Sequence, residues 1–188
     1  MKNNNNNLKH DDKKYTVYHK TIWEEMIKFS QNKKVIFLGQ QVASENFYDT
    51  LLYIPMHCRR EMPVAEEMQL GISIGMSLMG YLPISIFQRM DFLPRCFDQL
   101  VNHLNLMNKL SRDLYKPKVI IRTTIGTNKP LDVGLQHNKD LTEIIKKAVD
   151  FPVLKVTTVK EVKDTYNLAR KIDSSIIIIE LQSLYYNV

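Results

Sequence analysis

Cysteine is scarce in this 188-residue chain: Cys58 and Cys96 stand far apart, with no second Cys or His at ligand spacing. That excludes a zinc ribbon and a disulfide-dense secreted scaffold, and no metal site is assigned. Long hydrophobic runs are missing too. The longest, Ile176 to Ile179, is of strand length, whereas a membrane span needs roughly 20 apolar residues. The N-terminus offers only Met1-Lys2 and an asparagine run where a signal peptide would have an apolar core, so a reduced, cytoplasmic protein is expected. Neither glycine-rich phosphate loop occurs, nor a Gly-x-Ser-x-Gly elbow, nor a His pair at metal spacing. Any Ser/His/Asp or Cys/His assignment would be arbitrary.

Positive charge is in excess, a formal +6, but it is unevenly placed. Residues 1–34 hold eight lysines against four acids, while the other 154 residues hold eighteen basic groups against sixteen acids. The excess belongs to the N-terminal end, and no clustered basic face with aromatic platforms is visible. Nucleic-acid binding is set aside on that ground. With 44% AVILMFWYC and 24% charged residues the composition is ordinary for a globular protein, and the length suits one domain with its own core.

Asn3 to Asn7 is low-complexity and polar, so residues 1–14 are expected to be a disordered tail before a single domain over 15–188. Tyr18, Ile22, Met26 and Phe29 recur at helical spacing. Val35 to Leu38, closed by Gly39, reads as a buried strand, and residues 40–62 read as irregular. Pro63 is expected to open a second helix that runs to about Met79 and stops at Gly80. Pro83 to Phe87 reads as a strand. Asp91 is expected to cap a helix with the stripe Leu93, Phe97, Leu100, Leu104 and Met107. Lys118 to Arg122 is the next strand, followed by a loop through Gly126, Asn128, Pro130 and Gly134. Leu141, Ile144, Ile145 and Ala148 mark a helix, and Val153 to Val156 a strand. Thr158 and Glu161 have capping-box spacing ahead of a helix that turns Val162, Tyr166 and Ala169 inward. Short apolar strands alternating with amphipathic helices imply a mainly parallel sheet covered on both faces, a three-layer α/β fold. Ligands of such sheets bind beyond the carboxyl ends of the strands.

Two features near those ends could carry chemistry. Glu66 and Glu67 open the helix after Pro63, either as plain first-turn acids complementing its dipole or as a site. His137 lies in the Gly134-to-Asn138 loop, as a solvated residue or as a participant. The helix itself is rich in small residues: Gly71, Ser73, Gly75 and Ser77. Each glycine costs roughly 1 kcal/mol against alanine, and close approach of another backbone would offset it. A homodimer or heteromer through this Gly71–Gly75 helix is therefore expected.

The words Met62 to Glu67, Gly71 to Gly80, Pro83, Asp91-Phe92, Phe97 to Asn102, Val119 to Arg122, Gly126, Gly134 to His137, Leu154 to Val156 and Glu180 with Leu184-Tyr185 stand in one order across some 165 residues. In that order the chain resembles the pyrimidine-binding domain of transketolase-type thiamine-diphosphate enzymes. It is most similar to the beta subunit of the decarboxylating component of 2-oxo acid dehydrogenase complexes. The resemblance implies an oxidoreductase or transferase subunit with thiamine diphosphate as cofactor. A carboxylate at Glu66 would hydrogen-bond a ring nitrogen of the aminopyrimidine, and proton exchange there favours the imino tautomer that accepts the thiazolium proton. Gln88 and Phe92 fall at cofactor-binding positions, and His137 matches a catalytic loop histidine on the substrate side.

Departures accompany the likeness. Glutamines Gln40 and Gln41 stand where the family usually has acids, Ile86 replaces an acid, and the segment before Glu66 is short. Arg89 and Lys139 would each place a cation near the pocket. The family continues into a second domain, and the Gly-Asp-Gly element that holds Mg2+ and diphosphate has no counterpart here. The resemblance thus implies a half-site completed by a separate diphosphate-binding, alpha-like chain that holds the Mg2+. The alternative is a non-catalytic pseudo-enzyme or assembly module with the same fold.

Overall fold

A computed structural model describes residues 13–127, 132 and 134–187; the expected tail up to residue 12 and the turn at Asn128 and Pro130 lie outside them. Six strands form one all-parallel sheet: β1 Val35–Gly39, β2 Arg59–Glu61, β3 Leu82–Phe87, β4 Ile120–Ile125, β5 Val153–Val156 and β6 Ile176–Leu181. Their order is β2-β1-β3-β4-β6-β5. Among the described residues five α-helices accompany them: α1 Val17–Ser30, α2 Glu66–Leu78, α3 Met107–Leu110, α4 Thr142–Ala148 and α5 Val159–Lys171. The expected α/β/α arrangement is present.

On one face Tyr18, Ile22, Met26 and Phe29 of α1 and Val162, Tyr166 and Ala169 of α5 pack on Val35, Phe37, Ile84, Ile120 and Ile178. On the other, Leu70 and Ile74 of α2 and Ile145 of α4 pack with Phe87, Ile121, Ile177 and Ile179. Strand side chains alternate between these two cores, so the central strands are buried on both sides and mostly apolar, with Arg122 of β4 and Glu180 of β6 as buried charged exceptions. The α5 capping box is formed as the Thr158/Glu161 spacing requires.

Three local expectations are corrected. First, α2 begins at Glu66 rather than Pro63. The Met62 N–H donates to Gly39 O just past β2, and the Ala65 N–H donates to Pro63 O, closing a tight turn that keeps residues 62–65 out of the helix. Second, residues 90–110 form no continuous α-helix. A 3-10 helix over Met90–Cys96 is followed by a π-helical segment over Gln99–Leu104 and then α3. Pro94 sits inside the first of these, lacks an N–H and crowds the preceding turn. The expected cap is not there either: Arg89 takes the N-cap position, with no side-chain cap bond. Leu93, Leu100 and Leu104 are buried as expected, but Phe97 and Met107 are only half-buried. Third, the close approach that would offset the α2 glycines is not made by this chain's own backbone among the described residues. A Cβ on Gly75 would meet nothing within 4 Å, and one on Gly71 only the Gln99 side chain.

Residues 40–62 are more ordered than their sequence suggests. Asn46, Phe47, Tyr48 and Asp49 all have positive φ, at 56°, 44°, 51° and 62°. Left-handed backbone costs a non-glycine residue roughly 1–2 kcal/mol, so this turn must be held from outside. Phe47 is buried in the core, Trp23 Nε1 donates to Asp49 O, and His19 Nε2 donates to Tyr48 O. The buried Arg59 guanidinium donates to the Asn46 side chain and to the Leu51 and Ile54 carbonyls. From the other side, Glu61 accepts the N–H groups of Gln41, Ala43 and Ser44 at 2.6, 2.7 and 3.1 Å. Burial opposes ionisation of Glu61, but these backbone donors outweigh it and hold the carboxyl below its usual range.

Candidate functional site

The strand order reverses direction next to β1: β2 lies on one side of it and β3 on the other. Such a switch point opens a crevice at the carboxyl ends of the strands. Gln40 follows β1 directly, and α2 returns the chain from β2 to β3, so both border that crevice. Gln69 ties α2 to β3 by donating to Ser85 Oγ at 3.1 Å and to Ile86 O at 3.0 Å. That anchorage fixes the first turn of α2 and with it Glu66.

Glu66 and its neighbour part company here. Successive helical residues point about 100° apart. Glu66 is turned inward and only 2% exposed, while Glu67 is exposed. Glu66 Oε2 accepts from Arg95 Nε at 2.8 Å, and Oε1 accepts from Gln40 Nε2 at 3.5 Å. The Arg95 side chain is 64% exposed. Both residues line a cleft of about 820 Å³ with Val64, Met68, Ile72 and Gln99. A buried carboxylate, an apolar wall and an exposed cation therefore meet in one open cavity.

Past β3 lies a second group. Phe92 meets His137 edge-to-face, with ring centroids 5.5 Å apart. Asp91 Oδ1 accepts the Lys139 N–H at 3.3 Å, and Gln88 O accepts from Thr124 Oγ1 at 2.6 Å. Buried polar atoms without a hydrogen-bond partner among the described residues collect here: Arg89 Nε, Asp91 Oδ2 and His137 Nδ1. Such orphans cost free energy unless a ligand or water satisfies them. The 3-10 helix connects the two groups, with Asp91 and Phe92 on its first turn and Arg95 on its last.

The sequence-derived residues thus form two sets, Glu66 in the cleft and Gln88, Phe92 and His137 beside the 3-10 helix. Arg89 and Lys139 lie with the second set, but the cation that reaches Glu66 is Arg95. Sequence reasoning passed over it, since a pair separated by 29 positions has no local signature. Among the described residues no group of three or more His, Cys, Asp or Glu side chains could hold a metal ion, and no helix is long and apolar enough to cross a membrane.

The fold defines the class: the chain has the architecture of the pyrimidine-binding domain of transketolase-type thiamine-diphosphate enzymes. Among known proteins it is similar to the beta subunit of the pyruvate dehydrogenase E1 component. It is 26% identical to that of Chaetosphaeridium globosum over 125 residues, covering 66% of this chain and 38% of the relative. The Mesostigma viride subunit is 23% identical over 170 residues, covering 86% of this chain and 50% of the relative. A solved structure described as a split gene transketolase, inactive beta4 tetramer, superimposes with a TM-score of 0.63 at 17% identity, covering 88% of this chain and 49% of the other. The chain spans half or less of the length of these relatives. No family model matches the sequence.

Proposed function

We propose that the chain is the pyrimidine-binding half of a thiamine-diphosphate-dependent enzyme, 2-oxo acid dehydrogenase beta-like or transketolase-like. Its site is completed by a separate alpha-like, diphosphate-binding chain that holds the Mg2+, in a cytoplasmic assembly. The observation that carries this reading is Glu66: a buried carboxylate, first in its helix, open to a cleft at the topological switch point. Glu66 would hold the pyrimidine ring by a hydrogen bond, Phe92 and Gln88 would border the ring, and His137 would face the substrate. The bound cofactor supplies the electron sink for cleaving a bond next to a carbonyl. The chain's own part is to position and exchange a proton at the Glu66 carboxylate, and the orphaned His137 Nδ1 is a group able to accept one on the substrate side. The bare Gly75 face of α2 supports pairing through that helix, with a second copy or with the partner chain.

The test is reconstitution with proteins that co-purify from the source cell, followed by thiamine diphosphate analysis and turnover measurements. Glu66→Gln is expected to lower turnover roughly 10²-fold or more, while the exposed Glu67→Gln leaves it nearly unchanged. An active complex indifferent to Glu66→Gln refutes the site. The pseudo-enzyme reading draws on Arg95, which already occupies the carboxylate. It prevails if the partnered wild-type complex holds no thiamine diphosphate.

A further inference from the structure

The two partners in the Glu66–Arg95 pair are unequally committed to it. Glu66 is almost fully buried and depends on its donors, of which Arg95 Nε at 2.8 Å is the good one and Gln40 Nε2 at 3.5 Å is at the limit of a hydrogen bond. Arg95 is mostly in solvent, and among the described residues Glu66 is its only hydrogen-bond partner. Removing the guanidinium costs Arg95 little, because water replaces the contact. It leaves Glu66 with Gln40 as a marginal donor until water or a ligand from the open cleft donates in its place.

We propose that Arg95 is a displaceable occupant of the Glu66 site, a specificity-determining residue that gives way only to a ligand able to donate hydrogen bonds to a carboxylate. This rests on the reading of Glu66 as the pyrimidine-binding carboxylate and adds what controls access to it. An amidine-like edge, N–C–N with at least one N–H, can replace the arginine bond for bond. An anion cannot, nor can an unprotonated ring nitrogen; an aminopyrimidine meets the requirement through its amino edge or through a ring nitrogen that carries a proton. The walls of Val64, Met68 and Ile72 suit the apolar face of a flat heterocycle bearing that edge, and the cleft of about 820 Å³ leaves room for it beside the swung-out guanidinium. Arg95 therefore sets the threshold affinity of the site, and its loss should tighten binding rather than weaken it.

Two probes separate this proposal from the reading beneath it: benzamidine, an obligate donor to carboxylates, and 4-amino-5-hydroxymethyl-2-methylpyrimidine, the ring half of the cofactor. Each is titrated into the 188-residue chain, followed by amide chemical shifts around Glu66. Arg95→Ala is expected to bind benzamidine about fivefold more tightly than wild type, the fold-change equivalent to an exposed ion pair of about 1 kcal/mol. Adding Glu66→Gln to Arg95→Ala should abolish the gain. Equal or weaker benzamidine binding by Arg95→Ala, or no binding by either protein, overturns the proposal. A benzamidine gain with no response to the aminopyrimidine, in this chain and in its reconstituted complex alike, upholds Arg95 as the occupant and removes the thiamine reading instead.

Discussion

Three glutamates among the described residues, Glu25, Glu66 and Glu180, are nearly fully buried and met by arginine, and the last two belong to different kinds of place. Glu180 on β6 faces Arg122 on β4, and both side chains are 0% exposed. The contact is two-pronged, Nε to Oε1 at 2.7 Å and Nη2 to Oε2 at 2.8 Å. The Tyr166 and Tyr185 hydroxyls complete the carboxylate, and the Phe47 ring lies 4.9 Å from the guanidinium. Burial disfavours the charged guanidinium, but Glu180 outweighs it and holds Arg122 well above its ordinary range. Burial and then the Glu180 charge push both tyrosines upward as well. Glu66 has a single-pronged contact to an arginine in solvent. The same two residue types make a lock where both are sealed in, and an exchangeable contact where one partner is wet. The sealed pair specifies how β4, β6, α5 and the C-terminal segment fit together; the wet pair sits where a ligand can enter.

The largest expected difference is in stability. Arg122→Met leaves Glu180 buried without its ion-pair partner, and should cost about 3–5 kcal/mol by urea unfolding. A loss below about 1 kcal/mol would put the two pairs in one class. Next comes the shell around the sealed pair. His19 is buried among Tyr15, Trp23, Tyr185 and Tyr186. Burial lowers its pKa from 6.5 to about 4, against the smaller opposing pull of its bond to Tyr48 O. The native state thus binds fewer protons than the unfolded chain between those values. Its contribution is complete above pH 6.5 and lost as pH falls toward 4, roughly 3 kcal/mol in all. In His19→Phe that part of the pH slope should vanish; an unchanged slope would assign it to other groups. The smallest effect is at the cleft, where Arg95→Gln should change stability by less than about 1 kcal/mol, and by less still at high salt.

What the sequence reveals and conceals divides along the same line. The α1 stripe, the α5 capping box and the apolar strands are periodic, and each of their residues reports its own surroundings. Glu66 was legible because it opens a helix in a recognisable word, and the α2 register then separates it from Glu67. Arg95 was not, because its role depends on how Pro94 converts an expected α-helix into a 3-10 turn. The left-handed turn over Asn46 to Asp49 was hidden for a related reason. It contains no glycine, and distant groups such as Arg59, Trp23 and His19 hold it in place. Local pattern encodes elements; the contacts that shape the site join residues far apart in sequence.

Arginine side chains report directly on the central distinction through their Nε–H resonances, and one solvent-exchange measurement covers both pairs. With 15N-arginine-labelled protein near neutral pH, the Arg122 Nε–H is expected to resist exchange as long as the core amides of β4 and β6. The Arg95 Nε–H should exchange with solvent many times faster, and it should change its shift when benzamidine is added. Equal protection of the two, or an Arg95 signal indifferent to benzamidine, would contradict the account of one sealed and one displaceable pair.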